Sequence, residues 1–213
     1  MKIKINMVII LLLLFFLYFC VSAFSYAKNI STDISENVFR LHVIANSDNS
    51  YDQQLKYKVR DNLLKYMNEI CVNCKNKNDA ISVVKANKNT FEQIAIETIR
   101  NEGYSYPVNI NIGNFEFPTK KYGDISLPAG LYDALRVEIG EAKGQNWWCV
   151  MFPPLCFVDI TSGIVPNDSK SILKENLSEE EFALISEKSN SEIQFKFKIL
   201  ELFNENGLFT AKN

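Results

Sequence analysis

Twelve consecutive residues, from Trp147 to Val158, carry no charged side chain, and they include both tryptophans and the pair Pro153 and Pro154. Proline has no N–H and a fixed negative φ, so this pair excludes a type I′ hairpin turn. The pattern predicts a strand ending near Phe152, a wider or bent turn, and a second strand from Leu155 to Ile160. Such a run is either a core element or a recognition surface, and periodicity does not separate the two. Neighbouring strand residues point to opposite faces, so Trp147 and Trp148 cannot both face one core. The same bend sets Cys149 nearly opposite Cys156. These two are expected to bridge, closing a short loop for ~2.5 kcal/mol on the chain-entropy account.

The compartment follows from the other end of the chain. Lys2 and Lys4 precede an apolar run from Met7 to about Phe24, a basic n-region before an h-region. Ser25 with Ala27, and Val21 with Ala23, both offer small residues for a cleavage site. The run is also just long enough to span a bilayer. Residues 1–27 therefore read as a signal peptide or an N-terminal membrane anchor, and residues 28–213 as an exported domain. Leu17, Tyr18 and Phe19 before Cys20 do not make a lipoprotein signal. The net charge is −2, and without the first 27 residues 21 basic residues stand against 25 acidic, a net of −4. That is no footprint for nucleic acid.

Taken in order, residues 31–37 read as an extended lead. Val38 to Ala45 alternates as a strand, with Phe39, Leu41 and Val43 on one face. Residues 46–50 form a turn cluster. Ser50 and Gln53 have capping-box spacing ahead of a helix to about residue 70, whose apolar face holds Leu55, Val59, Leu63 and Met67. A short helix follows over 79–86. A second capping box, Thr90 with Gln93, opens a helix closed by Gly103. Val108, Ile110 and Ile112 alternate as a strand, Gly113 and Asn114 signal a turn, and 115–122 is expected to return as a partner, with Pro118 at an edge or bulge. Residues 131–140 form a strand, and 140–144 turn it into the tryptophan strand as a hairpin central in the sheet. Beyond Asp159 the chain is polar until Ser178 and Glu181 start a last helix by a third capping box. A strand over 193–199 ends the reading. The fold class is α+β: a mixed, largely antiparallel sheet with two to four helices packed on it, after the N-terminal hydrophobic helix.

The search for chemistry yields little. The chain has one histidine, His42, so a multi-histidine metal site is impossible within a subunit. Cys71 and Cys74 form a C-x-x-C without a second such pair, readable as a zinc half-site, a redox pair or a local disulfide. Asp48, Asn49, Ser50 and Asp52 resemble a calcium loop only loosely, lacking its glycine and terminal Glu. A dyad of His42 with Cys149 or Cys156 would make a thiol enzyme, but nothing in the sequence places them together. No phosphate loop or nucleophile elbow is present, and no cofactor or metal is called for.

Five blocks carry a family resemblance: Phe39-Arg-Leu-His-Val-Ile-Ala-Asn-Ser-Asp48, Leu55-Lys-Tyr-Lys-Val-Arg-Asp61, Phe117-Pro-Thr-Lys-Lys-Tyr-Gly123, Leu127-Pro-Ala-Gly-Leu-Tyr-Asp-Ala-Leu-Arg-Val137, and the stretch from Gly144 to Asp159. Through them the chain resembles the stage II sporulation protein R family over about residues 38–160. The resemblance implies a signalling protein of endospore formers, made in the forespore and exported between the two membranes. There it would activate a membrane-embedded aspartic peptidase of the mother cell, which processes the precursor of sporulation sigma factor E. The alternative is an exported envelope hydrolase or thiol enzyme using Cys149, Cys156 and His42. On the signalling reading, the partner surface is expected to combine the loop of Asn46, Ser47 and Asp48 with the exposed side of Trp147 and Trp148. Arg40, His42 and Arg136 would lie alongside, the two arginines framing the patch.

Overall fold

The computed structural model describes residues 2–156, 165 and 167–186. A four-stranded sheet organises them, in the order β2 (Val108–Phe117), β5 (Gly130–Ile139), β1 (Phe39–Ile44), β6 (Asn146–Phe152). β1 runs parallel to β5 and antiparallel to β6, and β2 is antiparallel to β5. A small hairpin, β3 (Lys120–Tyr122) with β4 (Ile125–Leu127), stands beside this sheet. Helices α2 (Ser50–Ile70), α3 (Lys77–Ala86) and α4 (Lys88–Asn101) lie on one face over Leu41, Val43, Ile110, Val137 and Cys149. The other face is covered by the end of α1 (Lys2–Glu36), by β3–β4, and by α5 (Asn167–Asn176) and α6 (Glu179–Ile185). The class is α+β with a mixed sheet, and its helices, on both faces, exceed the two to four expected.

Every residue of β1 is buried. A strand buried on both faces, even with Arg40 and His42 on one of them, belongs in the middle of a covered sheet, and β1 sits between β5 and β6. This overturns the hairpin expected over 140–144. The segment after β5 instead crosses the end of β1 and is hooked to it, Lys143 N–H donating to Asn46 O at 3.1 Å and Gly144 N–H to Ala45 O at 2.9 Å. The tryptophan strand β6 consequently lies at the edge of the described sheet, not at its centre. One of its carbonyls is met by a side chain: Trp148 O accepts from the Tyr122 hydroxyl at 3.1 Å, and the β3–β4 hairpin that brings this hydroxyl helps cover the edge.

Other expectations change for local reasons. No turn forms at Gly113 and Asn114, because β2 pairs in register with all ten residues of β5, from Val108 opposite Ile139 to Phe117 opposite Gly130. Residues 31–36 are helix, not an extended lead. Ile30 and Ile34, one turn apart on α1, bury against the second core, and Ser31 Oγ donates to Ala129 O. Asn49, rather than Ser50, caps α2 through its side chain, while Asn87 precedes α4 with no side-chain cap. The Ser178–Glu181 capping box forms as read. α5 occupies part of the stretch read only as polar. Leu155 and Cys156 continue the turn after Phe152 rather than starting a strand; the remainder of that proposed strand, and the one over 193–199, lie outside the described residues. From Met7 to Val21 the large apolar side chains of α1 are exposed. Among the described residues no helix is long and apolar enough to cross a membrane, so the anchor is not confirmed.

Candidate functional site

The ends of β1 and β5 bring together most of the residues singled out from the sequence. They do so by hydrogen bonds that use up the loop expected to bind. Asn46 Nδ2 and Ser47 Oγ both donate to Asp52 Oδ2, at 2.8 and 2.6 Å. Asn46 Oδ1 accepts from Glu141 N–H, and Asp48 Oδ1 accepts from Gln145 N–H at 2.7 Å. Burial alone would raise the Asp52 carboxyl, but the bonds from Ser47 and Asn46 hold it below its ordinary value. The loop of Asn46, Ser47 and Asp48 is thus a clasp between β1, α2 and the β5–β6 connection. Its polar groups are not the free recognition groups that the sequence suggested. Two glycines allow the close approach: a Cβ on Gly144 would stand 2.2 Å from Ser47 O, and one on Gly140 2.2 Å from Asn46 Oδ1.

Arg40 does not frame a surface. It is fully buried, with its guanidinium carbon 4.1 Å from the Phe117 ring centre and 4.6 Å from that of Tyr132. Nη2 donates to the Tyr122 hydroxyl at 2.5 Å and Nε to Cys149 O at 3.4 Å. Aromatic faces and these two acceptors surround the charge, and the arginine ties the β3–β4 hairpin to the sheet. Arg136, partly exposed, pairs with Glu138 at 2.8 Å.

His42 lies in register between Arg136 on β5 and Trp148 on β6. Its ring stacks on Trp148 at 3.7 Å and 18°, and Nε2 meets Asn146 Oδ1 at 2.7 Å. Burial, only partly offset by Asn146, pushes its pKa down to about 4. Leu41 is the residue opposite Cys149. Paired residues share a face and neighbours do not, so His42 and Cys149 lie on opposite sides of the sheet. Cys149 is moreover bonded to Cys156, with Cα atoms 5.6 Å apart. The dyad of the alternative reading is not assembled. Cys71 and Cys74 are also joined, at the C-terminal end of α2. A helix C-terminus disfavours a thiolate, which argues against a redox motif there.

The two tryptophans take opposite faces, as strand geometry requires. Both are half-buried, so neither the fully exposed nor the fully buried alternative describes them. Trp148 packs on the second core against His42 and Phe117. Trp147 flanks α2, where its ring meets Tyr57 edge-on at 5.3 Å and lies 4.3 Å from the Arg60 guanidinium carbon. Tyr57, Arg60 and Lys56 were not singled out from the sequence. The available signal was the i, i+3 spacing of an aromatic and an arginine on the polar flank of an amphipathic helix. No group of three or more histidine, cysteine or acidic side chains among the described residues is placed to hold a metal ion.

Residues 35–162 match the family profile described as stage II sporulation protein R. A relative of that name from Bacillus subtilis (strain 168) is 36% identical over 137 residues, covering 64% of this chain and 61% of that protein. The match therefore spans less than two thirds of the relative's length. No solved structure matches the chain. The profile covers more than half of the chain, including the β1–α2 clasp and the tryptophan strand, and on that match the protein belongs to the stage II sporulation protein R family, with a role in sporulation.

Proposed function

We propose that this protein is an exported sporulation signal that acts by binding. In this reading it is made in the forespore and crosses the cytoplasmic membrane by its N-terminal segment. In the space between the two membranes it activates a membrane-embedded aspartic peptidase of the mother cell, which then processes the precursor of sporulation sigma factor E. Family membership is the observation that carries the reading. The basic residues Lys2 and Lys4 before the apolar run support export. The alternative thiol enzyme draws no support from the sheet, since His42 and Cys149 face apart and Cys149 is bonded to Cys156.

Co-expression in a non-sporulating host tests the proposal. The full chain, the peptidase and the sigma precursor together are expected to yield the cleaved sigma factor. Omitting the chain should leave the precursor intact. Cleavage at the same rate with and without the chain would remove the signalling function.

A further inference from the structure

Two segments far apart in the sequence, 55–61 and β6, meet on the α2 side of the sheet through Trp147. Tyr57 and Arg60 sit one turn apart on the outer flank of α2, and Trp147 reaches them from the edge strand. Arg60 stands beside both rings, its guanidinium carbon 4.3 Å from the centre of Trp147 and 5.0 Å from that of Tyr57, with the ring centres themselves 5.3 Å apart. Lys56 Nζ approaches the Tyr57 ring at 4.8 Å. The cluster is reachable: Tyr57 is 37% exposed and Trp147 half-buried.

Its polar chemistry is one-sided. Trp147 Nε1 is buried, so the ring offers a docking partner its apolar surface and not its N–H. Arg60 places both Nε and Nη2 on a single oxygen, Asp61 Oδ1, at 2.7 and 2.6 Å. A guanidinium has five N–H donors, so this contact does not exhaust it. Lys56 Nζ donates to two uncharged acceptors, Gln53 Oε1 and Gln145 O. The Asp48 carboxylate, whose charge acts on Lys56, accepts from Gln145 N–H. Lys56 is almost fully buried, so the reachable unused donors are those of Arg60, and a docked partner would supply their acceptors. Tryptophan, tyrosine and arginine are also the residues that most often dominate binding energy when partly buried side by side. The opposite side of β6 is less suited, because the Trp148 ring is already stacked on His42 and packed against Phe117.

We propose that Tyr57, Arg60 and Trp147, backed by Lys56, form the surface on which the protein docks an acidic segment of its protein partner. A carboxylate of that segment joins Asp61 on Arg60, taking guanidinium donors that Asp61 leaves unused. The proposal rests on the signalling function above for the identity of the partner, and it adds where the contact lies and which chemistry it selects.

The test is a titration of the full chain carrying Trp148→Phe, which leaves Trp147 as the sole tryptophan reporter. The probes are synthetic peptides of the peptidase's extracytoplasmic segments, each made with its acidic residues intact and with Asn and Gln in their place. An acidic segment is expected to shift Trp147 emission. Neutralising that peptide, or introducing Arg60→Glu, should weaken binding by about tenfold or more, as truncation of a central charged contact commonly does. If Trp148→Phe fails to fold, calorimetric titration of the unaltered chain gives the same comparison. Equal binding of acidic and neutralised peptides, or no binding of any segment, overturns the docking surface. So does a folded Arg60→Glu variant that triggers sigma processing at the unaltered rate, and that outcome leaves the signalling function standing. Failure of the unaltered chain to trigger processing has the opposite meaning: it removes that function, while the peptide titration still decides the surface.

Discussion

His42 is held neutral by its surroundings. It is 5% exposed, stacked on Trp148, and its pKa falls to about 4 from an ordinary 6.5, chiefly through burial. The folded state therefore binds this proton less readily than the unfolded state. Stability from this residue is fully present above about pH 6.5 and is lost as pH falls toward 4. The full shift is worth up to about 3 kcal/mol by linkage, less whatever solvent reaches the ring. Thermal unfolding between pH 7 and pH 4 should show this decline in the unaltered protein. His42→Gln should flatten the decline while leaving carboxylate contributions in place. An unchanged slope in the variant would mean that His42 is not the titrating group. Arg40 illustrates the same point in another form. A charge with no exposure, set among Phe117, Tyr122 and Tyr132, serves packing and not recognition.

At the scale of elements, the β1–α2 clasp accounts for the order of the sheet. Ala45 O and Asn46 O accept from the crossing segment 140–145, which carries the chain over β1 and delivers β6 to its far side. Gly140, at φ +60, turns the chain out of β5, and Gly144 passes against Ser47 O at a distance no side chain tolerates. Gly144→Ala would place a Cβ 2.2 Å from that backbone oxygen. The backbone must move, breaking the bonds to Ala45 and Asp48. Overpacking of this kind costs roughly 1–3 kcal/mol or more, to which the lost hydrogen bonds add. Chemical denaturation of Gly144→Ala should show a lower midpoint by that amount. Stability equal to that of the unaltered chain would mean that the connection is not clasped.

At the scale of the molecule, the folded domain begins inside α1. Ile30 and Ile34 belong to the second core, and Tyr26 contacts Glu180 on α6, so the helix that carries the apolar run also packs onto the domain. A fusion of residues 1–30 to a reporter active only outside the membrane should give a signal about tenfold above a fusion lacking them, if the basic and apolar regions direct export. A reporter that stays cytoplasmic would sink export. Much of this molecule was legible in the amino-acid sequence: strand β1 from its alternation, α2 from its apolar face, the last helix from Ser178 and Glu181, and the approach of Cys149 to Cys156 around two prolines. Those features depend on periods of a few residues and on side chains that act on their own backbone. The neighbour of each strand does not. A run such as β1, with Phe39, Leu41 and Val43 on one face and Arg40 and His42 on the other, does not show that both faces are covered or which strands are its partners, and only the crossing of 140–145 over Asn46 decided that β5 and β6 flank it. The loop of Asn46, Ser47 and Asp48 read as free polar groups because the donors Glu141 and Gln145 are supplied by a distant segment, while its acceptor Asp52 comes into reach only once the first turn of α2 forms. The pairing of Trp147 with Tyr57 and Arg60 was hidden for the same physical reason: local sequence determines which way a side chain points, and only tertiary packing determines what stands in front of it.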